Sequence, residues 1–301
     1  MHNLPFDKPG QFYRGNLHTH STQSDGRLTP EQLGEFYRAA NYDFLAITDH
    51  FLESYGFPMP DTCALRTPDF TTLTGAELHA GQTELGNQWH ILAVGLPLDF
   101  APPQPEETAP QITARALASG AFVAIAHPYW YVLTEADALS LGDVHAIEVF
   151  NGTSIDYNDK ADSWYLLDLL LARGYRYQAC AVDDAHFFGS RVDACLGWVY
   201  VKSEELSPEA LLAALKAGHY YSSTGPQIHD ICIYPGEKVI VKCSPASRVY
   251  LTGNGWTAIS APGVDLCEAE LDLQRFHSPY GRITVRDAQG KRAWSNPFWL
   301  E

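Results

Sequence analysis

The 301-residue sequence has no basic excess, no long apolar run and no paired cysteines. Its formal net charge is −16, so it lacks the basic surface that long nucleic acids and anionic membranes require. No apolar run reaches the ~20 residues of a membrane-spanning helix. The start, MHNLPFDKPGQFYRG, has no basic segment followed by an apolar one, so it does not match a secretory signal. The six cysteines are scattered without a CxxC pair. A chain of this length needs no disulfide staples, so reduced thiols and a cytoplasmic location are expected. There is no GxSxG elbow, and no cysteine adjoins a His/Asp motif, which argues against a serine or cysteine nucleophile. Internal repeats and low-complexity tracts are absent.

What is there begins with Asn16 to His50, NLHTHSTQSDGRLTPEQLGEFYRAANYDFLAITDH. Tyr13 to His18 reads as a strand, and the two-residue spacing of His18 and His20 puts both imidazoles on one face. Asp25 follows in a polar loop. Thr29-Pro30-Glu31-Gln32 is a capping box with Pro at the first helical position. Leu33, Phe36, Tyr37 and Ala40 then form one expected buried stripe. Phe44 to Thr48 is a strand ending in Asp49-His50. Residues 51 to 70 carry three prolines and read as a long loop or lid. Further strands are expected at Thr71 to Glu77, Trp89 to Val94, Phe122 to Ala126, Ala146 to Phe150, Tyr177 to Val182 and Gly197 to Val201. Between several of them lie helices, near 108–119, 159–173 and 207–218. This alternation predicts a parallel sheet, closed or nearly closed into a barrel. In such barrels functional groups gather at the C-terminal strand ends.

After Thr224-Gly225-Pro226 the helical period disappears. Short alternating runs at Lys238 to Cys243, Val249 to Thr252 and Arg282 to Arg286, with Asn254-Gly255 and Gln289-Gly290 as turns, predict a small antiparallel β module. The expected division is therefore residues 1–226 and 227–301.

Nine side chains, most of them at strand ends, form a candidate site: His18, His20, Asp25, His50, Glu77, His90, His127, Asp184 and His186. Nine ligands are too many for one ion, since zinc takes four and manganese or iron about six. These ligand types suit Zn, Mn or Fe rather than Ca or Mg. Of the remaining histidines, His79 stands out as two residues past Glu77 on the same strand face. Asp49 could orient a ligand, shuttle a proton or cap the next turn.

The ordered motifs HTHxxxSDG, TDH, GAE, HP and DDAH, over residues 13 to 226, resemble the PHP (polymerase and histidinol phosphatase) family. The segments GHYYSSTGP at 218–226 and AWSNPFWL at 293–300 resemble its carbaryl-hydrolase-like branch. The resemblance implies an α/β fold, a distorted (β/α)7 barrel with a two- or three-metal site. It implies that His18, His20, Glu77 and Asp184 hold one ion. Glu77 would bridge to a second with His90 and His127, and Asp25, His50 and His186 would hold a third. Three divalent ions against three carboxylates leave a site of about +3, which attracts anions.

The expected activity is hydrolysis of a small phosphorylated metabolite or nucleotide, using two to three divalent ions to activate water. The alternatives are a carbamate, ester or amide hydrolase and a non-catalytic metal-binding module. Some phosphatases of the family carry an arginine after the HP motif to clamp phosphate. Here Tyr129, Trp130 and Tyr131 follow His127-Pro128, and could form an apolar wall for a leaving group or simply pack. Arg191 could substitute for the clamp or lie on the surface. The expected partner is a small, anionic substrate; oligomeric state is left open.

Overall fold

The computed structural model describes residues 4–189 and 193–300. Strand β1 (Gln11–Asn16) starts and ends two residues before its expected place, so His18 and His20 lie just past it. Helix α1 (Pro30–Ala39) opens on the capping box: the Thr29 side chain accepts from Gln32 N, and the Gln32 side chain accepts from Thr29 N. Leu33 and Tyr37 are fully buried, but Phe36 is exposed. Its ring meets Phe187 edge-on at 4.9 Å, so the buried stripe is narrower than expected.

The following strands are β2 (Phe44–Ile47), β3 (His50–Phe51), β4 (Thr71–Leu78) and β5 (Ile91–Val94). Helix α2 (Ala109–Ala118) then leads to β6 (Phe122–Ile125), and α3 (Pro128–Tyr131) and α4 (Glu135–Ser140) to β7 (Ala146–Asn151). Helices α5 (Thr153–Tyr157) and α6 (Trp164–Ala172) precede β8 (Gln178–Val182). Strand β9 (Trp198–Ser203), helix α7 (Pro208–Ala217) and strand β10 (Tyr220–Ser223) follow.

The expectation of an all-parallel sheet is corrected at two places. Pairs β1–β2, β2–β4, β6–β7 and β7–β8 are parallel. Strand β5 runs antiparallel to β4 and β6, and β9 antiparallel to β1. The cause at β5 is its connection. Residues 79–90 form a turn pinned by a Gln82–Gln88 bridge, without the crossover helix that a parallel return requires. Because β5 is reversed, its N-terminal end, with His90, lies beside the C-terminal ends of its neighbours. Gly75 allows the close β4–β5 approach, since a Cβ there would stand 2.7 Å from the Ala93 carbonyl oxygen.

The hydrogen-bonded ladder does not close into a ring; it ends at β8. Side chains cover that edge instead. Ser222 Oγ accepts from Ala181 N and donates to Ala179 O, and Asn296 Oδ1 accepts from Ala179 N. Asn296 also donates to the carbonyls of Gly218 and Tyr220. Leu17, Phe44, Leu92, Phe122 and Tyr220 pack between the strands with Leu211 and Leu215 of α7.

Beyond residue 227 the strands are all antiparallel: β11 (Ile228–Tyr234), β12 (Lys238–Thr252), β13 (Ala258–Asp272), β14 (Tyr280–Arg286), β15 (Arg292–Ser295) and β16 (Phe298–Trp299). The two short runs expected at 238–243 and 249–252 are one strand with register shifts between Lys242 and Arg248. Gly255 and Gly290 take left-handed φ values of 61° and 85° in the turns they were expected to form. These strands join the same sheet through β10–β15. Among the described residues no helix is long and apolar enough to cross a membrane.

Candidate metal centre

The HTH segment is stitched between two strand ends. Thr19 bridges Ala185 in parallel, Asp184 N donates to His18 O, and His20 N donates to Ala185 O. Thr19 turns away, its Oγ1 donating to Ala46 O. His18 and His20 therefore face the same way, as alternation requires. Asp184 and His127 both hold positive φ, at 55° and 27°, a strained backbone that the surroundings must enforce. The Thr153 hydroxyl donates to Asp184 O, and a Glu148 oxygen accepts from His127 N at 2.7 Å.

Glu77 is the centre of the cup and is fully buried. Its Oε1 is 2.7 Å from His90 Nδ1 and 3.0 Å from His127 Nε2. Its Oε2 is 2.7 Å from His50 Nδ1. Burial opposes its ionisation, but the rings of His90, His50 and His18 hold it well below the usual carboxylate range. Asp184 Oδ1 lies 3.0 Å from His20 Nε2 and 3.3 Å from His18 Nε2. Asp25, at the open side, has Oδ1 3.6 Å from His50 Nε2 and 3.5 Å from His186 Nε2. All nine expected ligands thus meet in one cup.

Several ring tautomers follow from partners that can only accept. His18 Nδ1 is 2.7 Å from Glu148 Oε1, and His186 Nδ1 is 2.7 Å from Asp184 O. In the neutral ring each Nδ1 therefore carries the proton and each Nε2 the lone pair. The His18 lone pair faces Asp184 and Glu77; the His186 lone pair faces Asp25. Glu77 Oε2 and His127 Nδ1 are buried without a hydrogen bond. Acceptors crowded against acceptors repel unless cations lie among them, and neutral imidazole with carboxylate is a ligand set for such cations. The residues fit divalent metal ions.

The grouping differs in part from the one the motif resemblance implies. Ligand atoms lie within 4.8 Å of one another in His18/His20/Asp184, in His20/Asp25/His50/His186 and in His50/Glu77/His79/His90. His20 reaches two groups, and His79 joins the cup. Asp49 does not point into the cup. Its carboxylate accepts from Ser21 N, Ser21 Oγ and Ser24 Oγ at 2.6–2.7 Å and so fastens the loop that carries Asp25. Arg191 lies outside the described residues.

Sequence reasoning missed Glu148, although a carboxylate inside an apolar strand was visible. It also missed Asp193, which accepts from His186 N and Phe187 N at 2.8 and 2.9 Å. Nothing in the linear pattern distinguishes that residue from a surface aspartate.

The cavity above the cup measures about 340 Å³. Trp130, Tyr131, Tyr157 and Phe188 wall it, and none of its described lining residues is Lys or Arg. Trp130 stacks on Tyr157 at 4.7 Å, and Tyr131 OH lies 2.9 Å from His90 Nε2.

No family model matches the sequence, and no curated protein matches it. Solved structures do. A two-domain protein of Bacteroides vulgatus, described as containing a predicted PHP-like metal-dependent phosphoesterase, is similar over 94% of each chain, at 14% identity and TM-score 0.53. The chain shares that PHP-like fold. Two looser likenesses are an amidohydrolase from Chromobacterium violaceum with bound sulfate and a provisionally named metal-dependent phosphoesterase from Bifidobacterium adolescentis. The first covers 60% of this chain and 89% of that one, at 17% identity and TM-score 0.41. The second covers 67% and 96%, at 15% identity and TM-score 0.44.

Proposed function

We propose that the chain is a cytoplasmic metal-dependent hydrolase built on a distorted (β/α)7-type barrel, residues 1–226, with a β module at 227–301. It holds two to three divalent ions, Mn, Zn or Fe. One observation carries the reading: a buried carboxylate, Glu77, stands within 3.0 Å of ring nitrogens of His50, His90 and His127. In this reading His18, His20, Asp184 and Glu77 hold one ion. Glu77, His90 and His127 hold a second, and Asp25, His50 and His186 a third. The bound ions supply Lewis-acid charge that acidifies water and polarises a phosphoryl or carbonyl oxygen.

The chain's own residues do the rest. Glu148 fixes the proton of His18 on Nδ1 and turns its lone pair into the cup. Asp49 holds the loop that presents Asp25. The Tyr131 hydroxyl, kept protonated because burial raises its pKa, stands 2.9 Å from His90 Nε2 at the cavity wall. The aromatic walls exclude water from one side of the substrate.

The favoured substrate is a small phosphomonoester, a phosphorylated metabolite or nucleotide, because the excess positive charge of the ions selects anions. A carbamate, ester or amide is the second reading, favoured by the aromatic walls and by the lack of a cationic side chain among the described lining residues. Elemental analysis is expected to find at least two metal equivalents per chain, and His18→Ala/His20→Ala to lose metal and activity while keeping its circular dichroism. Mn-loaded protein is expected to release phosphate from an aryl phosphate. Cleavage of an aryl methylcarbamate, with aryl phosphates and nucleotides untouched, would establish the second reading instead.

A further inference from the structure

One buried histidine of the cup has no role in the reading above. The His79 side chain is fully buried. Its Nδ1 lies 2.9 Å from the Trp89 carbonyl oxygen, which can only accept, so Nδ1 carries the ring proton. The Nε2 lone pair then faces inward. Its neighbours there are His50 Nδ1 at 2.9 Å and Glu77 Oε2 at 3.8 Å. A lone pair takes nothing from a carboxylate, so the partner is His50, as donor.

His50 Nδ1 has a second acceptor nearby, Glu77 Oε2 at 2.7 Å. That oxygen nevertheless receives no hydrogen bond; the approach is close but poorly directed, whereas the line to His79 meets hydrogen-bond geometry. With its proton on Nδ1, His50 has its lone pair on Nε2. That atom is 3.6 Å from Asp25 Oδ1, and His186 Nε2 is 3.5 Å from the same oxygen. Two imidazole lone pairs and one carboxylate thus converge.

We propose that His79 is a positioning residue: it accepts the Nδ1 proton of His50 and so presents His50 Nε2 to the subsite made with Asp25 and His186. The chain of contacts runs from the Trp89 carbonyl through His79 to His50. It is the outer support that metal-binding imidazoles need, here supplied by a second imidazole. This inference rests on the metal-dependent reading of the site.

The test uses two readouts. Long-range nitrogen–proton spectra of the histidine rings, taken on metal-free full-length protein, are expected to show His50 and His79 both protonated at Nδ1. Added zinc is expected to shift Nε2 of His50 and leave Nε2 of His79 unmoved. Zinc titrations on variants form the second readout. His79→Gln retains an acceptor and is expected to bind as the wild type does. His79→Phe is expected to bind one ion ~10–100-fold more weakly, with the others unchanged. A neutral His50 ring whose single proton sits on Nε2 overturns the proposal. So does a zinc-induced shift at His79 Nε2, or wild-type zinc affinity in a folded His79→Phe variant. A wild type that takes up no zinc or manganese sinks the metal reading, while the metal-free spectra still decide whether His79 orients His50.

Discussion

Glu148→Gln is the most discriminating single substitution, because it keeps volume and removes only charge and one acceptor. Glu148 is fully buried. Its oxygens receive His18 Nδ1 and His127 N, each at 2.7 Å, and Asn151 Nδ2 at 3.3 Å. A glutamine offers one oxygen. Whichever way the amide turns, its NH₂ meets either the His18 or the His127 donor. Losing a hydrogen bond to a charged group costs ~1.5–3 kcal/mol of folding stability. In either orientation the His18 ring also loses the charged acceptor that anchors its tautomer. Such losses weaken metal binding ~10–100-fold, or ~1.4–2.8 kcal/mol. Urea denaturation of metal-free protein reads the first quantity, and chelator competition the second. If stability falls but metal affinity is unchanged, Glu148 is a packing acceptor and the tautomer argument fails. If neither changes, the two short hydrogen bonds are not present in solution.

Three further outcomes are expected. Removing metal with a chelator should abolish hydrolysis and lower the melting temperature; at a hundred times the dissociation constant, bound ion contributes ~2.7 kcal/mol, and no change on chelation would refute occupancy. Arg282 donates to both oxygens of Asp168 at 2.9 and 2.8 Å and stacks 4.0 Å over Trp164, joining β14 to α6. Since Asp168 is about a third exposed, Arg282→Ala should cost ~2 kcal/mol by denaturation, below the range for a fully buried pair. Burial, then Lys216, lowers the pKa of His145, whose Nδ1 accepts from Val123 N. The unfolded chain therefore binds this proton more readily, so the His145 contribution is complete above about pH 6.5 and declines below it. His145→Asn keeps the acceptor and should flatten the acid side of the stability curve below about pH 6.5; an unchanged slope refutes the assignment.

The site was legible because its residues fall where periodicity is strong. Most of the ligands sit at or just beyond the end of a short apolar strand, and the two-residue spacing of His18 and His20 needs no tertiary information to place both on one face. His90 met the others for a reason the sequence did not contain. It precedes β5, and only the reversal of that strand brings a strand start into the company of strand ends. Asp49 shows the opposite case. It neighbours His50 in sequence, yet its carboxylate binds Ser21 and Ser24 of the loop that carries Asp25, contacts that the linear pattern does not contain.

By itself the sequence determined the element order, the turns at Gly255 and Gly290, and the collection of imidazoles and carboxylates at strand ends. These depend on local steric preference and on period, which are properties of neighbours along the chain. The tertiary structure alone decided strand direction at β5 and β9, the capping of the β8 edge by Ser222 and Asn296, and the outer contacts of Glu148, His79 and Asp193. Those are relations between segments up to more than a hundred residues apart. Their energies depend on distance and on which atom of a ring holds its proton, and neither quantity is written in the order of the residues.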